Sequence, residues 1–302
     1  MGRTLFGVGA QGPLIVDLQT SLTARGFDPR GTDGLYGHDT AAAVRSFQSS
    51  IAQPATGTVN DEQWTGITGR AMPDVEARAL QLTATFEGHG YGLVEGNWDG
   101  AWLTWGIVGF TLKNGDIQTI VRNLQRSASR SFAAAFGDDA AQLLQIMNAT
   151  ASEQEAWANR ITVGSRVAEP WRTHFHEFGT FADVQAEQRL RAHQDYFVPA
   201  MRTAASLGLV TELGVALCFD IHVQNGGVGA GARDAVARSA VAGTELARRE
   251  ALANAVADHA KPEFREDVRS RKLAIARGQG IVHERRVDLA VWGLIETAAM
   301  VA

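Results

Sequence analysis

The sequence predicts a mainly α protein of the α+β kind: a small three-helix N-terminal domain, then a larger helical domain with one small β-hairpin. Apolar residues recur at helical spacing through most of the chain. A break, TGRAMPDVEAR, divides two differently patterned regions near residue 70, and convincing strand material lies near residues 102–112. One helix, a hairpin and then many helices place the sheet at one end of the fold. The 302 residues suffice for two domains, placed at 1–70 and 71–302.

In order along the chain, PLIVDLQTSLTARGF sets Leu14, Leu18 and Leu22 four apart, with Ile15 and Val16 beside them. That is one apolar helix face, and Gly26 stops it. PRGTDGLYG reads as a glycine-rich loop. HDTAAAVRSFQSSI is a second helix, capped at Asp39 or Thr40 and burying Ala43, Val44, Phe47 and Ile51. A third, short helix follows Asn60 or Asp61 and carries Trp64. Beyond the break, Pro73 suits a first helical turn, with Asp74 and Glu76 near its positive end. That helix, DVEARALQLTATFEG, runs into FEGHGYGLVEGNWDGAWLTWGIVGF, residues 86–110. Afterwards AAQLLQIM, SEQEAWANRIT, ADVQAEQRLRAHQDYFVPAMRTAASLG, LGVALCFDIHVQ and ELARREALANAVADHA all show the 3.6-residue period.

Composition narrows the function. Apolar residues make 45% and charged residues 20%, the balance of an ordinary globular chain. No apolar run approaches the roughly 20 residues of a membrane span, so membrane insertion is not expected. The N-terminus has one Arg and a short, glycine-broken apolar patch, which does not read as a signal peptide. Net charge is −5; residues 1–70 hold five Arg against six acidic residues, or −1, leaving −4 for the rest. Neither part is basic, which argues against a nucleic-acid partner. The single cysteine, Cys218, sits in an apolar run and reads as a buried inert thiol. Alone, it excludes an internal disulfide and a thiolate metal cluster.

The stretch 86–110 holds three carboxylates, Glu87, Glu95 and Asp99, among glycines and tryptophans. Glycoside hydrolysis uses two carboxyl groups on opposite sides of a sugar, one as acid and one as base or nucleophile. Glu87 ends an apolar helix, the setting that keeps a carboxylic acid protonated. Asp99 sits in a turn before a strand, where it could stay ionised. In AWLTWGIVGF, alternation puts Trp102, Thr104, Gly106 and Val108 on one face. Thr104, the lone hydroxyl of that run, could hold a water, or could simply favour the strand. Glu95 competes with Asp99 for the base's role. The tryptophans read mostly as hairpin core, with Trp98 or Trp102 offered to a sugar ring.

Elsewhere, VALCFDIHVQNGG brings Gln224 and Asn225 to a helix end, as substrate contacts or as a cap beside a paired Asp220. The tail RKLAIARGQGIVHERRVDLAVWGL reads as a solvated basic face or as added cleft cations (Arg271, His283, Arg285 or Arg286). HFHEF, with His174, His176 and Glu177, fails the zinc spacing because Thr180 takes the second histidine's place. No nucleophile elbow, P-loop or dinucleotide fingerprint stands out. Neither metal nor cofactor is expected.

Two resemblances sharpen this reading. Leu18-Gln19, Leu22, Gly26-Phe27, Asp33-Gly34, Tyr36-Gly37, Thr40, Ala43-Val44, Phe47-Gln48, Gly57, Val59 and Trp64 together resemble the peptidoglycan-binding domain family of cell-wall hydrolases. The match runs almost continuously over residues 12–69. It implies peptidoglycan as partner, with Asp33, Gly34, Tyr36 and Gly37 as contact candidates. The register Tyr91, Asp99, Thr104, Val108-Gly109 and Asp116 resembles the chitosanases of the lysozyme-like superfamily; the Glu-Asp-Thr order is also similar to phage-type lysozymes. This implies a lysozyme-like domain with Glu87 as acid, Asp99 as base, Thr104 holding water and Asp116 in a sugar subsite. Tyr91, Glu95 and Trp102 join the candidate substrate contacts. The sequence departs from the family at Gly88, in a shorter Glu-to-Tyr interval and at Gly100-Ala101-Trp102. The expectation is a monomeric phage-type endolysin acting as an inverting muramidase, made in the host cytoplasm and released through holin pores. A lytic transglycosylase, an injected antibacterial effector and a chitosanase are the alternatives.

Overall fold

The computed structural model describes residues 4–88, 90–239 and 243–299. They divide into two compact units, one of residues 1–85 and 196–302, the other of residues 86–195. The first unit begins with β1 (Thr4–Phe6), α1 (Pro13–Ala24), α2 (His38–Ser50), β2 (Val59–Asn60), α3 (Asp61–Thr68) and α4 (Val75–Glu87), whose end enters the second unit. The second unit holds β3 (Val94–Glu95), β4 (Thr104–Trp105), β5 (Phe110–Thr111), α5 (Asp116–Ser127), α6 (Ser129–Phe136), α7 (Ala140–Met147), α8 (Ala151–Ile161), β6 (Thr162–Val163), β7 (Arg166–Val167), α9 (Trp171–Phe178) and α10 (Ala182–Ala192). The first unit resumes with α11 (Val198–Ser206), α12 (Glu212–Asn225), α13 (Ala230–Ser239), α14 (Glu245–Asp258), α15 (Arg265–Arg277), β8 (Gln279–Val282) and β9 (Arg285–Asp288). The fold is mainly helical, with small antiparallel sheets, as the period-3.6 pattern predicts.

In the N-terminal segment, β1 pairs antiparallel with β2, and Leu18, Leu22, Val44, Phe47, Trp64 and Ile67 form the core. A capping box between Asn60 and Gln63 starts α3, and left-handed Gly69 ends it. The cap of α2 is Gly37 rather than Asp39 or Thr40; Asp39 instead lies in the first turn, near the helix dipole's positive end. Ile51, expected in the core, is exposed because it falls just past the last turn. Two buried glutamines hold the loops. Gln19 donates to Asp33, the Leu35 carbonyl and Thr40, and accepts from the Gly34 N–H. Gln48 donates to Thr56, the Thr58 carbonyl and Gln63, and accepts from the Gly57 N–H. A side-chain amide carries both donors and an acceptor, so one residue satisfies several loop groups at once.

The rest of the first unit buries charges in pairs. Arg78 makes a two-pronged contact with Glu212, at 2.8 and 3.1 Å. Asp220, fully buried in α12, accepts from Arg271, Lys272 and Thr83. Burial alone would push this carboxyl up, but the Arg271 and Lys272 charges outweigh it and hold it at about 2. The tail therefore departs from the expectation of one solvated face: Arg271 points inward to a charge partner, while His283, Arg285 and Arg286 are exposed.

Strand material extends beyond residues 102–112, in β6–β7 and β8–β9. The β8–β9 turn places His283 and Glu284 at φ 48° and 63°. Two consecutive left-handed residues are the hairpin geometry that Asn-Gly usually supplies, so a His-Glu pair gives no sequence signal. The long helical run after residue 182 is also interrupted. Residues His193–Phe197 form a π-helical turn, and Pro199 brings no N–H to the helical ladder just after it.

Candidate active site

All seven residues Glu87, Tyr91, Glu95, Asp99, Thr104, Thr111 and Asp116 belong to the second unit. Its three-stranded sheet has the order β3-β4-β5, with register Val94–Trp105–Phe110 and Glu95–Thr104–Thr111 across the strands. Side chains alternate between faces of a strand, so these rows point opposite ways. Val94, Trp105 and Phe110 are buried, whereas Glu95, Thr104 and Thr111 are half-buried. Beneath the sheet Trp105 stacks on Phe178 at 5.6 Å and donates to the Phe175 carbonyl at 3.0 Å. The polar row continues to Asp116, whose carboxylate accepts from the Thr111 N–H at 3.2 Å. Asp116 opens α5, where a negative charge suits the helix dipole.

Glu87 is the last residue of α4 and is half-buried; Gly88, at φ 67°, ends the helix after it. Asp99 lies on the loop from β3 to β4, exposed, with Oδ1 accepting from the Ala101 N–H at 3.0 Å. Trp102 departs from the expected strand. It precedes β4 in a left-handed conformation, φ 69°, half-buried, with its N–H donated to Asn97 Oδ1. The strand predicted through AWLTWGIVGF is broken into β4 and β5 by a turn at residues 106–109. Gly106 and Gly109 adopt φ 89° and 70°, so the face of Trp102, Thr104, Gly106 and Val108 does not exist.

Residues that the sequence did not single out hold this sheet. Gln188, fully buried on α10, donates to the Tyr91 carbonyl and accepts from the Ile107 N–H, at 2.9 and 3.0 Å. Arg189 next to it reaches the Tyr91 hydroxyl at 3.2 Å and lies 5.8 Å from the ring centre. Gly179 packs backbone to backbone on Tyr91 and Gly92, and a Cβ on Gly92 would stand 2.6 Å from the His176 carbonyl oxygen. Their contacts span 70 residues or more, which no local spacing encodes.

Asp195, on the π-helical turn, is half-buried and paired with Arg191. Burial raises its carboxyl above the ordinary range, opposed by Arg191 and reinforced by the Asp116 charge.

The other candidates lie in the first unit. Gln224 is bound to Lys272 Nζ at 2.6 Å, within the Asp220 cluster. Asn225 is exposed at the end of α12, and left-handed Gly226 caps that helix. In the N-terminal segment, the Tyr36 ring is 2% exposed and its hydroxyl donates to the Gly57 carbonyl. Tyr36 is therefore core rather than a ring offered to ligand, drawn inward by its apolar body. Asp33 caps its own loop, accepting from the Leu35 N–H and from Gln19, and these bonds lower its pKa. Gly34, at φ 74°, packs against Val16, and half-buried Gly37 caps α2 only through its backbone. Among the described residues no group of three or more His, Cys, Asp or Glu is placed to hold a metal. His174 of HFHEF is bound to Asp139 at 3.1 Å.

Residues 81–259 match glycosyl hydrolase family 46, over more than half of the chain, and residues 11–66 match the peptidoglycan binding domain. The chain belongs to glycosyl hydrolase family 46. It is a glycoside hydrolase with an N-terminal peptidoglycan-binding domain and a lysozyme-like catalytic fold. Among solved structures, it is similar to a family 46 chitosanase from Gynuella sunshinyii in complex with chitotetraose, at 20% identity and TM-score 0.50, covering 69% of this chain and 88% of that one. A second chitosanase complex matches at 19% identity and TM-score 0.47, covering 70% and 94% of the two chains. A mutant chitosanase from Bacillus subtilis complexed with six glucosamine units matches at 21% and 0.46, covering 72% and 96%. At 20% identity the first of these likenesses speaks for the fold alone. No curated protein sequence gives a significant match. Among the described residues no helix is long and apolar enough to cross a membrane.

Proposed function

We propose that this family 46 enzyme is a peptidoglycan hydrolase that cuts the glycan strand of the bacterial wall. The observation that carries the reading is the peptidoglycan-binding match on the same chain as the hydrolase match. A binding domain on the polymer raises the effective concentration of the catalytic domain at its bonds. Glu87 is the general acid, giving its proton to the glycosidic oxygen as the C1–O bond breaks. Asp99 is the base, taking a proton from a water that Thr104 holds and that attacks C1. Asp116, beside Thr111, contacts a neighbouring sugar. These roles rest on the Glu-Asp-Thr register, and direct attack by water makes the reaction inverting. The enzyme is an endolysin of the muramidase type, made in the cytoplasm of a phage host and passed to the wall through holin pores.

Chitosan hydrolysis is the second reading, favoured by the family match and by the chitosan-derived ligands of the similar structures. Mass spectrometry of products separates these readings. Reducing ends released from purified sacculi with uptake of one water support muramidase action. 1,6-Anhydro ends mean a lytic transglycosylase, and cleavage of soluble chitosan alone means a chitosanase.

A further inference from the structure

Of the seven tryptophans, Trp98 is the one that stands in water, 61% exposed, while Trp105 and Trp157 are buried and Trp102 is half-buried. Among the described residues its indole stacks on no other ring. Yet the loop that carries it is fixed on both sides. The Gly96 N–H donates to the Ser165 carbonyl at 3.0 Å, and the Asn97 N–H donates to Thr162 Oγ1 at 2.9 Å. Asn97 Nδ2 donates to Asn159 at 2.7 Å, and Asn97 Oδ1 accepts from the Trp102 N–H at 3.0 Å. A Cβ on Gly96 would lie 2.6 Å from Thr162 Oγ1, so the loop sits tightly on the β6–β7 hairpin. Asp99, next in sequence, closes its own turn on the Ala101 N–H.

Keeping a large apolar ring in water opposes the hydrophobic effect, and ordering a loop costs conformational entropy. An indole carried on an anchored loop offers a flat apolar face to a ligand with little further ordering of the backbone on binding. Its place next to Asp99 says what that ligand is. We propose that Trp98 is a stacking platform for a hexopyranose ring of the glycan, at the subsite adjoining the cleaved bond. The C–H face of a pyranose is apolar and rigid, and it matches an indole in shape. Trp98 thus selects for sugar-ring orientation and leaves the proton transfers to the carboxylates. The proposal rests on the reading of Asp99 as the base, and it holds for either glycan.

The test is steady-state kinetics of the full chain and of Trp98→Ala and Trp98→Phe, on soluble wall glycan freed of stem peptides and on soluble chitosan. On whichever polymer the parent cuts, Trp98→Ala raises KM about tenfold, the scale of one aromatic contact. Trp98→Phe recovers most of that loss, and Tm stays at the parent value because the ring supports no core. A KM for Trp98→Ala equal to the parent's overturns the platform, as does a lowered kcat with KM unchanged. Cleavage of chitosan alone overturns the wall-glycan reading and leaves the platform standing. A parent that cuts neither polymer overturns both.

Discussion

Glu95 stands directly across the antiparallel pair from Thr104, with Thr111 on the far side of Thr104 in the same row. Asp99 lies in the loop between those strands and spends one oxygen on the Ala101 N–H. Strand register thus sets Glu95 opposite the Thr104 hydroxyl, while Asp99 sits exposed on the connecting loop, and chemistry has to separate the two carboxylates. Glu87→Gln and Asp99→Asn are each expected to lower kcat by about a thousandfold, the scale of a lost general acid or base. Glu95→Gln is expected to stay within about tenfold. Reducing-end release, with circular dichroism as a fold control, checks the order. A larger loss for Glu95→Gln than for Asp99→Asn assigns the base to Glu95.

Asp220 is the charge around which Arg271 and Lys272 are buried. Asp220→Asn leaves two buried cations with a neutral partner and is expected to cost about 3–5 kcal/mol. The native carboxyl is held at about 2, below its ordinary value of 3.8. Its contribution is thus complete above that ordinary value and is lost as pH falls from about 4 toward 2, on the order of 2 kcal/mol. Thermal unfolding between pH 5 and 2 (roughly the window set by that shift) is expected to fall less steeply in Asp220→Asn than in the parent. Parallel curves would contradict the assignment.

Gly179 touches the backbone of Tyr91 and Gly92, and backbone cannot swing aside as a side chain can. Gly179→Ala is expected to cost about 3 kcal/mol or more through overpacking and to lower kcat by displacing the β3 end of the sheet. Differential scanning calorimetry measures the first effect. A Tm within a degree or so of the parent (about 0.6 kcal/mol for a chain of this size) would show that the two segments separate freely.

Tyr36 is core, so removing only its hydroxyl should register as stability. Tyr36→Phe is expected to cost about 1 kcal/mol for the hydrogen bond to the Gly57 carbonyl and to leave sacculus binding unchanged. Co-sedimentation with sacculi decides. Lost binding at an unchanged Tm would return Tyr36 to the ligand surface.

The helical parts were legible because their information is local. Leu18 and Leu22, the Asn60–Gln63 cap and the apolar run to Glu87 each depend on neighbours a few residues away. The β8–β9 hairpin was not legible, since His283-Glu284 carries none of the usual turn chemistry. The broken strand at Gly106 was hidden for a different reason: whether a glycine bends a strand depends on what lies beside it. Here Gln188, from another helix, occupies the space a Cβ would need.

The sequence by itself determined the helical architecture, the peptidoglycan-binding segment and the stretch that holds Glu87, Glu95 and Asp99, because periodicity and motif register are properties of the chain. Tertiary structure decided which side chains face which. It put Glu95 opposite Thr104, sent Tyr36 and Arg271 inward and left Trp98 in water. Those outcomes turn on strand register and on contacts such as Gln188 with Tyr91 and Arg271 with Asp220, whose partners lie far apart in sequence. A one-residue change in register or the loss of one distant partner would reverse them while leaving every local pattern intact.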